Sequence, residues 1–194
     1  MLINHIILAT LWIVYVVLHS VLAGLGVKSW MQKKLGRNYK HYRLAYTLFA
    51  FVFLVAIVWY QVTIATIHFY KPTFLVVVAG YLVAITGLGI MITCIKKYFM
   101  SLSGLRSLFQ ETTYPELIIS GIHRYVRHPL YLGTFIFIWG LAILFPYLSL
   151  VVANTIITVY TVIAIKFEED KLVKEFGEQY TIYQKTVPKI IPKW

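Results

Sequence analysis

Charged residues are absent from four long stretches of the chain, 2–27, 44–70, 72–95 and 129–165, and crowd into the segments between them. The hydrocarbon core of a bilayer takes roughly 20 apolar residues in a helix. Each of the first three stretches is therefore expected to form one transmembrane helix. The fourth is too long for that, because its 37 residues as a single helix would reach about 55 Å, against a core of about 30 Å. It is expected to double back at Phe145-Pro146-Tyr147-Leu148-Ser149, since Pro146 lacks an amide donor and suits the first turn of a new helix. The pattern predicts an all-α integral membrane protein with five transmembrane helices, the last two a tight hairpin. Pro72 is expected to open the third helix. Gly80, Gly87 and Gly89 leave that helix smooth enough for a neighbour to approach closely.

The connecting segments differ in kind. Segment 26–43 mixes Trp30, Tyr39 and Tyr42 with cations, the composition of an interfacial anchor. Segment 96–128 is too irregular for a span and too apolar for a disordered tail, so it is expected to fold over the helix ends. After residue 165, Phe167, Leu172, Val173 and Phe176 keep helical spacing, with Gly177 as the stop. Tyr180, Tyr183, Pro188 and Pro192 then form an aromatic and proline-containing tail.

Composition agrees with the pattern. The 194 residues are 60% hydrophobic and 13% charged, about half the charge of a typical soluble domain. A net charge of +11 invites a nucleic-acid reading, but the distribution opposes it. Lys28, Lys33, Lys34, Arg37, Lys40 and Arg43 fill the first connector, and Lys96, Lys97, Arg106, Arg124 and Arg127 fill the third. The rest follow Lys166, and only Lys71 falls on the other side. The positive-inside rule makes the basic face cytoplasmic, with the N-terminus outside and the C-terminus inside. Membrane lipids, not nucleic acid, are the expected partners. The first run lacks a basic leader and is longer than a typical signal-peptide core, so it is expected to be an uncleaved span. Cys94 is the single cysteine, which excludes an intrachain disulfide and argues against a cysteine metal cluster. His5, His19, His41 and His68 lie at no metal-ligand spacing, and no metal site is expected.

Two polar clusters flank the hairpin. In Arg127-His128-Pro129 the proline marks a helix start, where free amides favour an anion, and Arg127 offers a planar cationic fork. The same residues also suit snorkelling interface cations and a simple cap. Glu168-Glu169-Asp170 concentrates three of the seven acidic residues at a membrane exit. Carboxylates there suit a cationic ligand group, or a clamp to Arg124, Arg127 or Lys166. A hairpin would bring both clusters to one face, where together they would suit a ligand carrying both signs of charge. No Walker, dinucleotide-binding, His-Glu-x-x-His or Gly-x-Ser-x-Gly motif occurs.

The run Gly121-Ile-His123-Arg-Tyr-Val-Arg127-His128-Pro129-Leu-Tyr131-Leu-Gly133, then Glu168-Glu169 and Phe176-Gly177-Glu-Gln-Tyr180-Thr-Ile-Tyr183, resembles the isoprenylcysteine carboxyl methyltransferases, relatives of the phospholipid N-methyltransferases. The resemblance covers about 117–192; the first three spans share only hydrophobicity with the family. It implies a single membrane-embedded domain over 1–194, with three N-terminal spans in 1–95 and a catalytic region in 96–194 around hairpin 129–165. It implies S-adenosylmethionine as methyl donor, S-adenosylhomocysteine as product, and a cytosolic cofactor pocket formed by segment 96–128 and the C-terminal segment. The family's cofactor pocket falls on Pro115, Glu116, Leu117, Ile118, His123, His128, Pro129, Leu130, Tyr131 and Glu168. Arg127 and Glu168 are the expected catalytic pair, orienting an acceptor carboxylate and anchoring the cofactor.

Two departures stand out. His123 occupies the place of a usual Tyr, and Ala164 that of an Arg in the eukaryotic enzymes. The carboxylate role then passes to Arg127 or Arg124, or the acceptor is not a carboxylate. The expected reaction is methyl transfer to the carboxylate of a lipid-like acceptor such as a C-terminal isoprenylcysteine. N-methylation of an aminophospholipid is the alternative. A sterol-type reductase is more remote because no additional spans are evident to house a sterol, and a small transporter because transporters place ionisable groups within their spans and these stretches carry no Lys, Arg, Asp or Glu.

Overall fold

The computed structural model describes residues 1–102 and 117–192. Among the described residues there is no strand, and the β-type pairing is an isolated bridge between His68 and Tyr147. The helices are α1 (Leu2–Ala23), α2 (Leu25–Leu35), α3 (Tyr42–Thr63), α4 (Phe74–Leu102), α5 (Pro129–Leu144), α6 (Leu148–Phe176) and α7 (Glu178–Thr186), with short 3-10 turns at Gly36–His41 and Gly121–Arg124. They fall into two compact units. The first holds α1, α2, α3 and the opening turns of α6; the second holds most of α4, then α5, the rest of α6 and α7.

Among the described residues, four helices are long and apolar enough to cross a membrane: Leu2–Ala23, Leu44–Thr63, Phe74–Lys96 and Leu148–Phe176. The fifth expected span, α5, is apolar but has 16 residues, about 24 Å of helix against a core of about 30 Å. It is shorter than a full crossing.

In the first unit, Leu8, Trp12, Ile57 and Ala153 form the buried centre. The polar side chains there are satisfied by one another, as buried polar groups must be. The Trp12 indole donates to Gln61 Oε1 at 3.0 Å, and His5 Nε2 lies 3.0 Å from Thr66 Oγ1. The same Thr66 oxygen accepts the Ser149 amide at 3.1 Å. His5 is thus tied by its ring nitrogens to Met1 O and Thr66.

In the second unit, α4 and α5 pack antiparallel through small residues. A Cβ at Gly87 would collide with the Phe137 backbone and lie 2.7 Å from Gly133 O. One at Gly140 would lie 2.7 Å from Ala84 N, and one at Gly80 would lie 2.8 Å from the Leu144 side chain. Absent side chains let these backbones touch, the usual basis of helix association in lipid. Gly89 has nothing within 4 Å of a Cβ position, so it plays no part in this contact. The α5–α6 hairpin is fixed by Trp139 Nε1 donating to Thr158 Oγ1 at 3.2 Å.

Several boundaries differ from expectation. Pro146 lies in the turn, not in the first turn of α6; the Leu150 and Val151 amides both bond to Tyr147 O, at 3.0 and 3.1 Å. Likewise α4 opens at Phe74, beyond Pro72, with Thr73 O accepting the Val77 amide at 2.9 Å. Segment 26–43 is largely helical, and the tail contains α7. Gly177 ends α6 as expected, with φ +57, a conformation that glycine adopts without steric cost.

Candidate active site

The hairpin returns the two polar clusters to each other, wholly within the second unit. Pro129 starts α5, with His128 at its N-cap, while α6 runs past its apolar portion to carry Glu168 and Glu169. Tyr131 sits one turn into α5, and its hydroxyl donates to Glu168 Oε2 at 3.0 Å. His128 lies stacked near Tyr131, with ring centroids 5.7 Å apart.

The adjacent glutamates have opposite environments. Glu169 is buried: its Oε1 accepts from Arg127 Nε at 2.8 Å, Arg127 Nη2 at 2.7 Å and His128 Nε2 at 3.2 Å. Its Oε2 lies 3.3 Å from Lys189 Nζ. The Glu168 side chain is 44% exposed, with Oε2 3.8 Å from His128 Nδ1. A carboxylate oxygen only accepts, so His128 Nε2 carries the hydrogen in the contact with Glu169. Its Nδ1 lies on the Glu168 side.

Arg127 is fully engaged. Its side chain is 8% exposed. Besides Glu169 it donates through Nη1 to Gln184 O at 2.9 Å and to Val187 O. Its amide donates to Pro188 O at 2.9 Å, and the His128 amide to Lys189 O at 3.1 Å. The segment after α7 is thereby laced to the start of α5. Tyr183 completes the lacing, its hydroxyl donating to His123 O at 2.6 Å, while His123 Nδ1 lies 3.3 Å from Arg127 O. Beside them Tyr180 is 2% exposed, and its hydroxyl has no hydrogen-bond partner among the described residues. Burial, then the charge of Glu169, push this phenol well above its usual pKa.

The structure therefore brings together His123, Arg127, His128, Pro129, Leu130, Tyr131 and Glu168 where the start of α5 meets the C-terminal part of α6. Leu117 is half-buried and Ile118 exposed in the stretch before Gly121. Neither is hydrogen-bonded to the cluster among the described residues. Pro115 and Glu116 lie outside the described residues. Among those described, no group of three His, Cys, Asp or Glu side chains could hold a metal ion. A clamp from the acidic run to Arg127 is one of the alternatives the sequence leaves open; that Glu169 centres it, with Lys189 beside it and Gln184 and Val187 on Arg127, is not legible there. Two of those contacts use backbone carbonyls, which carry no residue signature. The Tyr180–Tyr183 spacing was the available signal for the buried side of α7.

Residues 74–179 match the family model described as phospholipid methyltransferase, which takes in α5 and all of the Glu168–Glu169 region. The chain belongs to this family. Among curated members, it is 29% identical over 187 residues to the methanethiol S-methyltransferase of Crocosphaera subtropica, covering 92% of this chain and 71% of that protein. It is 30% identical over 190 residues to methanethiol S-methyltransferase 2 of Bradyrhizobium diazoefficiens, covering 92% and 70%. It is 38% identical over 77 residues to the protein-S-isoprenylcysteine O-methyltransferase of Schizosaccharomyces pombe, covering 39% and 33%. No solved structure matches it. Family membership and the apolar helices together make the chain a multi-pass membrane methyltransferase. The donor set also suits the expected cofactor: a half-exposed carboxylate beside a histidine and a tyrosine ring can receive an ammonium group and a sulfonium.

Proposed function

We propose that this phospholipid methyltransferase family member transfers a methyl group from S-adenosylmethionine to the sulfur of a small thiol. The observation that carries the proposal is the unequal treatment of Glu168 and Glu169. Glu169 is consumed by Arg127, His128 and Lys189, whereas Glu168 keeps an exposed carboxylate next to the acceptor nitrogen of His128. Glu168 and Tyr131 would hold the cofactor's amino-acid part, and His128 and Tyr131 would line its sulfonium. When bound, the cofactor supplies an activated methyl group. The thiol must lose its proton to attack, and His128 Nδ1 accepts it while Glu169 holds the ring in orientation. The thiolate would be the acceptor of that methyl group, and the proton would leave His128 to solvent.

Three facts favour a thiol over a carboxylate. The relatives that cover most of the chain are methanethiol enzymes, the guanidinium of Arg127 is already committed, and residue 164 is Ala. The isoprenylcysteine carboxylate remains the second reading, favoured by the 38% identity over 77 residues and by exposed Arg124. The basic connectors favour a site on the cytoplasmic face.

The test is an acceptor panel: detergent-purified protein with methyl-labelled S-adenosylmethionine and methanethiol, a prenylcysteine analogue or phosphatidylethanolamine. Labelled dimethyl sulfide is expected from the thiol, with little transfer to the others. A labelled methyl ester and no sulfide would replace this reading with the carboxylate one.

A further inference from the structure

The tail after α7 grips the His128–Glu169 pair from two sides. Val187 is extended, at φ −118 and ψ 130, the conformation that a following proline favours. Pro188 has its φ fixed by the ring, and successive carbonyls of this stretch meet the start of α5. Gln184 O and Val187 O accept from the Arg127 guanidinium. Pro188 O accepts the Arg127 amide, and Lys189 O accepts the His128 amide at 3.1 Å. The Lys189 side chain turns to the other partner, with Nζ 3.3 Å from Glu169 Oε2. One residue therefore holds both the backbone of the histidine and the carboxylate bonded to its ring.

The two oxygens of Glu169 are served unequally. Oε1 receives Arg127 Nε, Arg127 Nη2 and His128 Nε2. Among the described residues, Lys189 alone reaches Oε2. A carboxylate that pivots carries Oε1 away from His128, and an ammonium on Oε2 opposes the pivot. Removing Arg127 strands a buried charge. Lys189 is 48% exposed, so its ammonium is separable from the fold.

The same ammonium acts on the ring through its charge. His128 is faced by Glu168 and Glu169 from α6, by Tyr131 from α5, and by Arg127 and Lys189 through Glu169. His123 of the 3-10 turn contacts Arg127 O, and Tyr180 of α7 lies beside the Arg127–Glu169 pair. The two carboxylates stabilise a protonated ring. Lys189 offsets part of that field from the far oxygen of Glu169, leaving the ring open to a proton at lower pH.

We propose that Lys189 is a positioning residue for methyl transfer, its carbonyl and ammonium together holding the His128–Glu169 pair in the geometry that takes the proton from the acceptor thiol. This role rests on the reading of His128 as the base.

Lys189→Gln removes the ammonium and keeps the carbonyl; Lys189→Arg keeps both. In purified full-length protein, kcat/KM for methanethiol is followed over about pH 6–9, which spans imidazole titration in the free enzyme. Without the ammonium, Glu169 favours the protonated ring more strongly. The acid limb of Lys189→Gln is therefore expected to move up by about half a pH unit, a roughly threefold loss on the limb, and Lys189→Arg to follow wild type. The thermal midpoint and the affinity for S-adenosylhomocysteine are expected to stay near wild type, since Glu168 is untouched. A lysine with a structural role alone would lower the midpoint and leave the limb in place. Superimposable wild-type and Lys189→Gln profiles, a limb displaced to lower pH, or equal displacement in Lys189→Arg overturns the role. Should Lys189→Gln unfold, Lys189→Met, which retains the apolar stem, takes its place. Methaneselenol tests the base separately: a selenol is already ionised near neutral pH, so its transfer by wild type is expected to show no acid limb. A limb at the same pH with the selenol would overturn His128 as base, and the role of Lys189 with it.

Discussion

At the scale of single residues, the chemistry divides between two neighbouring glutamates on α6. Successive helical positions project about 100° apart, so Glu169 turns inward to Arg127, His128 and Lys189 while Glu168 turns toward Tyr131 and the exterior. Removing one partner of a buried pair leaves the other charge stranded, at a cost of about 3–5 kcal/mol. Arg127→Ala is therefore expected to lower the thermal midpoint markedly, with Arg127→Lys recovering only part because it lacks the fork that reaches both Glu169 and the backbone carbonyls. A thermal midpoint unchanged in Arg127→Ala would show that the network is not structural. The meeting of Arg127 and His128 with the Glu pair was legible from the spacing of two polar clusters around a doubled apolar run. Which glutamate faces inward was not, because one residue of helical phase decides it and the partners come from a segment some 60 residues beyond Arg127.

At the scale of elements, the apolar runs anticipated the helices, and the small residues on α4 anticipated the close neighbour. Gly80 and Gly87 do meet α5, through Leu144, Gly133 and Phe137, whereas Gly89 faces open space. Seven residues separate Gly80 from Gly87, two full turns, so they share a face that Gly89 leaves. Gly140→Val should force α5 away from Ala84 and destabilise the protein by about 1–3 kcal/mol, read as a lowered unfolding midpoint in detergent. Gly89→Val should have little effect, and equal losses at both positions would contradict the packing described. The helix after Gly177 escaped the sequence pattern because α7 is polar and short. It is held by Tyr180 and Tyr183, which are buried, more than by any apolar face.

At the scale of the whole molecule, the basic connectors predict a cytoplasmic site, a question of orientation that helix packing alone does not answer. The single native cysteine is buried, which favours a labelling experiment with little background. Lys71→Cys is expected to react with a membrane-impermeant maleimide in intact cells, and Lys185→Cys only after lysis; the reverse pattern would place the site outside. Cofactor binding depends most directly on Glu168 meeting a cationic group. Isothermal titration of the purified protein with S-adenosylhomocysteine addresses this directly. One saturable site per chain is predicted for wild type, weakened roughly ten- to a hundredfold in Glu168→Gln, as for loss of a hydrogen bond to a charged group. Absence of saturable binding to folded wild-type protein, or equal affinity in Glu168→Gln, would contradict it.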